Sequence, residues 1–347
     1  MRILLALFLT ASLATSVSAA DWTHLRGPGL DGKVTGSGLF DEGTPALELA
    51  WRVPLGSGYS GIAVAGGKVV TLFTRGDEDW IGAFGLVDGK ELWRRSLGPK
   101  NPGHDGSDDG PISSPVIGHG AVFALTPAGD LVAVELSTGE VRWQRLLVEE
   151  FGAKPPPFGF GTTPLLEGDL LVVQAGGSEG RSLLAFDARS GEQRWATRED
   201  PVGYQSPYAM DLAGRRQIVA AVGRGLAGLD PASGEPLWTH ELAEGEDVSS
   251  AHPTPAGKDR FLLFLGGDAA VFQVSSEEGG FRVQELFRSK ALGQSYAPPV
   301  LHEGYLYGFR GRILSCMDAA TGEQEWRSRA PGGDGLLLVD GHLLIFA

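Results

Sequence analysis

One short pattern recurs along this chain and limits its fold more than any other feature. It is Gly-x-x-x-Trp, found as Gly89/Trp93, Gly139/Trp143, Gly191/Trp195, Gly234/Trp238 and Gly322/Trp326. Four of the five copies carry an acidic residue four positions before the glycine: Glu135, Asp187, Asp230 and Asp318. In the first copy Gly85 stands there, and Asp88 sits beside the glycine. A degraded sixth copy is expected between Trp238 and Trp326, where Gly279 is followed four residues later by Val283. Trp51 lies one repeat ahead of Trp93. Self-similarity at 43 to 52 residues between positions 93, 143, 195, 238, 283 and 326 signals an array of like units rather than a sequence of unrelated domains.

Each unit reads as four short strands. In the second, Ile112–Ile117, Ala121–Thr126, Leu131–Leu136 and Glu140–Leu146 are apolar runs broken by turn residues at 127–130 and 137–140. The 52 glycines fit such turns, and no long helical pattern competes. Four antiparallel strands per 40 to 50 residues is the pattern of propeller blades. The glycine suits a tight turn needing positive φ, the acidic group satisfies turn amides, and the tryptophan packs against the neighbouring blade. These ten residues are therefore blade-docking positions and carry no chemistry.

Asp318-Ala-Ala-Thr-Gly-Glu-Gln-Glu-Trp326 resembles the tryptophan-docking motif of the pyrroloquinoline-quinone (PQQ) repeat superfamily. Asp21-Trp-Thr-His-Leu-Arg-Gly-Pro28 resembles the Trp-x-x-x-Arg-Gly-Pro opening of exported BamB-like propellers in that superfamily. The resemblance implies an all-β propeller of four-stranded antiparallel blades, eight when complete. Six motif-bearing blades are visible, and a seventh begins at Leu336–Val339 and His342–Phe346. The expected organisation is a signal peptide over 1–20, an extended segment over 21–50, and a propeller over 51–347 that is C-terminally incomplete. Trp51 is expected on an outermost strand that completes the last blade. Arg2, an apolar run from Ile3 and the small residues Val17–Ala20 make residues 1–20 a cleaved export signal, placing the protein in the periplasm or outside the cell. No cysteine lies near the cleavage site, so no lipid anchor is expected, and no apolar run is long enough for a membrane span.

Two branches of the superfamily imply different functions. The quinoprotein dehydrogenases would need PQQ, Ca²⁺ and an adjacent cysteine pair, but Cys316 is the lone cysteine and no Cys-x-x-Cys-His occurs. The BamB-like branch implies a non-enzymatic binding or scaffolding module in the envelope, with an envelope protein or small polar ligand as partner. A carbohydrate- or peptide-binding propeller is a third reading. The formal charge of −14 disfavours nucleic acid and anionic surfaces. No catalytic motif is present. The half-pattern of a calcium loop at Asp105, Ser107 and Asp109 lacks its closing glutamate, because Val116 stands there.

The binding surface is expected where the blades begin. Ser113-Ser114-Pro, Thr162-Thr163-Pro, Gln205-Ser206-Pro, the stretch 249–253 and Ser295-Tyr296-Ala-Pro recur before innermost strands, with Tyr59-Ser60 in the first blade. These side chains cap turns and, in a propeller, ring one mouth of the axial funnel together with Phe158, Phe160 and Tyr204.

Overall fold

The computed structural model describes residues 21–40, 43, 48–222, 225–244, 246, 248 and 252–346. The expected signal peptide therefore lies outside the described residues, as do positions 249–251. Six four-stranded antiparallel sheets follow one another in chain order, spanning residues 62–99, 116–146, 165–197, 208–241, 254–289 and 300–328. Each is a simple meander, with its first strand innermost. These are blades one to six of a β-propeller. A seventh sheet holds Gly335–Val339 and His342–Phe346, joined by Lys33–Val34 running parallel to the first of these. The one helix among the described residues, Leu147–Phe151, is a single turn after blade two. None is long and apolar enough to cross a membrane.

Core and seams are one structure. The buried clusters span adjacent blades: Ala63, Val70 and Ile81 of blade one pack with Ile117, Val122 and Val134 of blade two. Blades two and three share Phe123, Leu131, Leu171 and Phe186 in the same way. Strand alternation explains this, because successive side chains leave opposite faces and a blade between two neighbours must be apolar on both.

Trp93, Trp143 and Trp195 lie in these seams and Trp238 stacks on Phe261 of blade five, whereas Trp326, expected as a docking residue too, is 42% exposed. Trp93 lies against Gly139 of the next blade, Trp143 against Gly191 and Trp195 against Gly234; a Cβ added at those glycines would come within 2.5 to 2.6 Å of the indole. Each indole N–H also reaches a carbonyl of the next blade: Leu136, Ala188 and Pro231, at 2.9 to 3.0 Å. Two positions after the tryptophan, Arg95 and Arg145 donate to the carbonyls of Gly139 and Gly191. The acidic residues bind their own turns: the Asp318 carboxylate accepts from the Ala320 and Thr321 amides, and Asp187 from those of Arg189 and Ser190.

Two expectations about this series are corrected. The docking residue of blade five is Phe287, not Val283. Phe287 faces Val271 beside a β-bulge, the register position that Trp93, Trp143 and Trp195 hold opposite Ala83, Ala133 and Ala185. Its ring lies on Gly322, and Ser289 two positions on donates to the Gly322 carbonyl. A longer hairpin in blade five displaced the sequence spacing. Trp51, in turn, lies in no strand, yet its indole covers Gly89 and donates to the Leu86 carbonyl at 3.0 Å. Docking there needs the ring and the turn, not a paired strand.

Candidate functional site

The N-terminal segment shapes the site. Trp22 forms an antiparallel bridge with Val64 of blade one, both hydrogen bonds at 2.7 Å. The Thr23 carbonyl accepts from Ile117 of blade two, and the Gly29 carbonyl from the Tyr208 hydroxyl of blade four. Leu30 packs into the clusters between blades three and four and between four and five. Gly32 and Val34 accept from Leu338 and Asp340 of the seventh sheet. Residues 21–34 thus cross from blade to blade. They were expected as an extended segment ahead of the propeller; instead they pack among its blades, because its polar backbone finds partners on edges the inner strands leave open.

Arg26 is the anchor of this segment. It is 8% exposed, and its guanidinium donates to the carbonyls of Pro298, Pro299 and Asp31 at 2.9 to 3.1 Å. Burial lowers its pKa to about 10. The Trp-x-x-x-Arg-Gly opening now has a physical meaning. The Trp22 ring lies on Gly27, and Gly32 leaves room for the Arg26 guanidinium; a Cβ at either glycine would come within 2.7 Å of those groups.

Above this segment lies a cavity of about 580 Å³. Leu25 and His252 line it alongside Ser114, Thr163 and Ser206. Aromatic walls come from Tyr59, Phe158, Tyr204 and Tyr296, and the 101–110 loop supplies Asn101, His104, Ser107 and Asp108. The three hydroxyls do structural work first. Ser114 Oγ accepts from the Gly61 amide, Thr163 Oγ1 from the Ser114 amide and Ser206 Oγ from the Thr163 amide, at 2.8 to 3.2 Å. Each blade start is thereby stitched to the one before it. On the far side, before blade six, Arg26 makes the equivalent tie to Pro298 and Pro299.

Of the ten residues expected at the mouth, Tyr59, Ser114, Thr163, Ser206 and Tyr296 line the cavity. Ser60, Ser113, Thr162, Gln205 and Ser295 do not. Ser113, Thr162 and Gln205 are buried, and Ser60 and Ser295 accept from the nearby Leu72 and Ala297 amides. Neighbours on an extended chain face opposite ways, so a pair such as Thr162-Thr163 offers one member to the funnel and one to the seam. Phe160, also expected nearby, is fully buried.

The loop with Asp105, Ser107 and Asp109 forms part of the rim, but its oxygens do not converge. Asp109 is engaged by Lys100 at 2.8 Å and by the Gly103 amide, while Ser107 Oγ accepts from the His104 amide. Among the described residues no three His, Cys, Asp or Glu side chains come together as a metal set. A PQQ cofactor does not fit these residues either. It is a tricarboxylate, and no lysine or arginine is among the cavity's described lining, while Asp108 is its one carboxylate. Cys316 is buried within blade six, opposite Trp326.

His252 is held neutral, with its pKa lowered to about 4 by burial and then by the nearby Arg26 cation. Burial also lowers His24. His24 could not be placed from its sequence spacing, whereas His252 lies in the 249–253 stretch expected at the mouth. Leu25, Asn101 and Pro102 were missed, and the one signal for the last two was the long connection between Pro99 and Val116.

Comparison with known proteins agrees with this architecture. The family model described as outer membrane protein assembly factor BamB matches residues 77–308 and 213–347. The BamB of Bordetella pertussis is 24% identical over 295 residues, covering 81% of this chain and 68% of that protein. The BamB of Burkholderia pseudomallei is 26% identical over 300 residues, covering 82% and 70%. Among solved structures, BamB from Moraxella catarrhalis has a TM-score of 0.55 at 19% identity, over 78% of this chain and 75% of that one. A europium-containing methanol dehydrogenase has a TM-score of 0.59 at 11% identity, over 93% and 88%; that likeness concerns the fold alone. With its family model spanning most of the described blades, the chain belongs to the BamB family of PQQ-like β-propeller proteins.

Proposed function

We propose that this chain is a non-enzymatic binding module of the cell envelope, working in outer-membrane protein assembly, with the funnel cup as its binding surface. One observation supports this most: the cup of about 580 Å³ is walled by aromatic rings and hydroxyls and backed by the N-terminal segment. Its volume falls within the roughly 300–1,000 Å³ of small-molecule sites. It lacks an activated nucleophile, a paired acid and base, or a converging metal set among the described residues. Residues 1–20 would deliver the chain to the periplasm as a cleaved signal peptide. The relatives' names supply the process, and the cup supplies the place of contact.

The test is photo-crosslinking in cells that express the protein. A crosslinking residue replaces Tyr296 at the mouth, or Val87 at the rim of blade one as the control; both are exposed, at 87% and 88%. The expected result is a crosslink from position 296, absent from position 87, to a component of the outer-membrane assembly machinery. Dye reduction by the purified protein that depends on added PQQ and Ca²⁺ would overturn the reading, as would crosslinks from position 87 alone.

A further inference from the structure

We propose that the cup takes a neutral glycan, an uncharged run of sugar rings seated between its aromatic walls and its hydroxyl ring; this rests on the cup being the binding surface. Three features of the cavity lead there. The first is the unspent half of the hydroxyls. Ser114, Thr163 and Ser206 each accept a neighbouring blade's amide, and among the described residues none of the three donates its proton to another group. A hydroxyl is both donor and acceptor, so the blade stitching leaves three O–H donors lining one cavity, ready for acceptor oxygens.

The second feature is the aromatic wall. Tyr59 and Tyr296 are 52% and 87% exposed, an unusual position for large rings not covered by the protein itself. Two of the four rings are fixed in place. Tyr59 Oη accepts from the Asp108 amide at 2.8 Å, and Tyr204 Oη from the Phe158 amide at 3.0 Å. Phe158 also meets Tyr204 edge-on at 5.9 Å. Flat, pre-positioned rings bury the apolar face of a sugar at little entropic cost, while sugar hydroxyls and ring oxygens meet the O–H donors.

The third feature is charge. No lysine or arginine is among the described lining, and the chain carries a formal net charge of −14, so an anionic ligand meets no counter-charge and a repulsive field. An extended peptide added as a strand is also disfavoured, because the N-terminal segment already occupies the inner edges of blades one and two through Trp22 and Thr23.

The experiment is calorimetric titration of the mature protein with maltotriose, cellotriose and triacetylchitotriose, with spermidine and citrate as charged probes. The expected result is saturable binding of at least one trisaccharide, weakened at least tenfold by Tyr296→Ala and preserved by Tyr296→Phe. At its exposure the Tyr296 ring can be removed without opening the core. Failure of all three sugars, unchanged binding in Tyr296→Ala, or tighter binding of spermidine or citrate lost in the same variant would each overturn the proposal. A crosslink from position 296 to the assembly machinery with no sugar binding leaves the envelope-module reading standing and removes the glycan.

Discussion

At the scale of single residues, the molecule concentrates its cost in a few buried polar groups. Arg26 is a cation among blades, and three backbone carbonyls depend on it. Removing a partner from buried acceptors costs about 1–3 kcal/mol per group left unsatisfied. Arg26→Ala is therefore expected to lower stability by about 3 kcal/mol or more in urea unfolding. Arg26→Lys should recover only part of it, since a point charge cannot fork to several carbonyls. His252 gives a pH signature. The unfolded chain takes up its proton near the ordinary histidine value of 6.5, whereas the fold resists until about pH 4. A depressed folded-state pKa means the contribution is complete above pH 6.5 and drains as pH falls, by up to about 1.4 kcal/mol per pH unit through that window. Replacing His252 by Gln should flatten the stability profile between pH 6.5 and 4 relative to the native chain. An unchanged slope would show that His252 is not held neutral.

At the scale of elements, the blade turn and its docked ring can be separated experimentally. Gly67 and Gly139 have nearly the same φ, 72° and 74°. A Cβ at Gly67 meets nothing within 4 Å, while at Gly139 it lies 2.6 Å from the Trp93 ring. Gly67→Ala should cost only the left-handed backbone penalty, about 1–2 kcal/mol. Gly139→Ala should cost clearly more, as the indole is forced out of the seam, and thermal unfolding of the two variants checks the difference. Blade five supplies a second contrast. Phe287 lies on Gly322, whereas Trp326 is 42% exposed. Phe287→Ala is expected to cost about 2–4 kcal/mol and Trp326→Ala less than about 1 kcal/mol, reversing the order that the repeat motif alone suggests.

For the whole molecule, the N-terminal segment is the element that turns separate blades into one unit. Propeller blades contact mainly their neighbours, so stability is shared locally along the array. Residues 21–34 break that locality by bonding to blades one, two, four and six and to the seventh sheet. Deleting them should convert one cooperative unfolding transition into a broader one and raise amide exchange in the inner strands, measurable by hydrogen exchange. Leu25 would leave with the segment, so the cup would lose part of its lining as well.

Much of the architecture was legible in residues 51–347, because its causes are local. Period-two apolar runs make strands, Gly with positive φ makes the outer turn, and an aromatic four residues later fills the seam; Trp93, Trp143 and Trp195 needed nothing more distant. The register slip at Phe287 was hidden because a longer hairpin changes spacing without changing chemistry. Which member of each Ser/Thr pair faces the cup depended on strand alternation around the axis, so Thr163 and Thr162 were indistinguishable in sequence. Their hydroxyls acquire a role only when the next blade brings an amide to them. Arg26 shows the limit most sharply. Its Trp-x-x-x-Arg-Gly-Pro setting marks a special residue, yet its partners Pro298 and Pro299 lie more than 270 positions away. By itself the sequence determined the repeat, the blade and the docking ring, since each is an interaction among near neighbours. Only the tertiary structure decided that the first segment crosses the blades and that six scattered blade starts enclose one cup, because those contacts exist only once the chain has wound around a common axis.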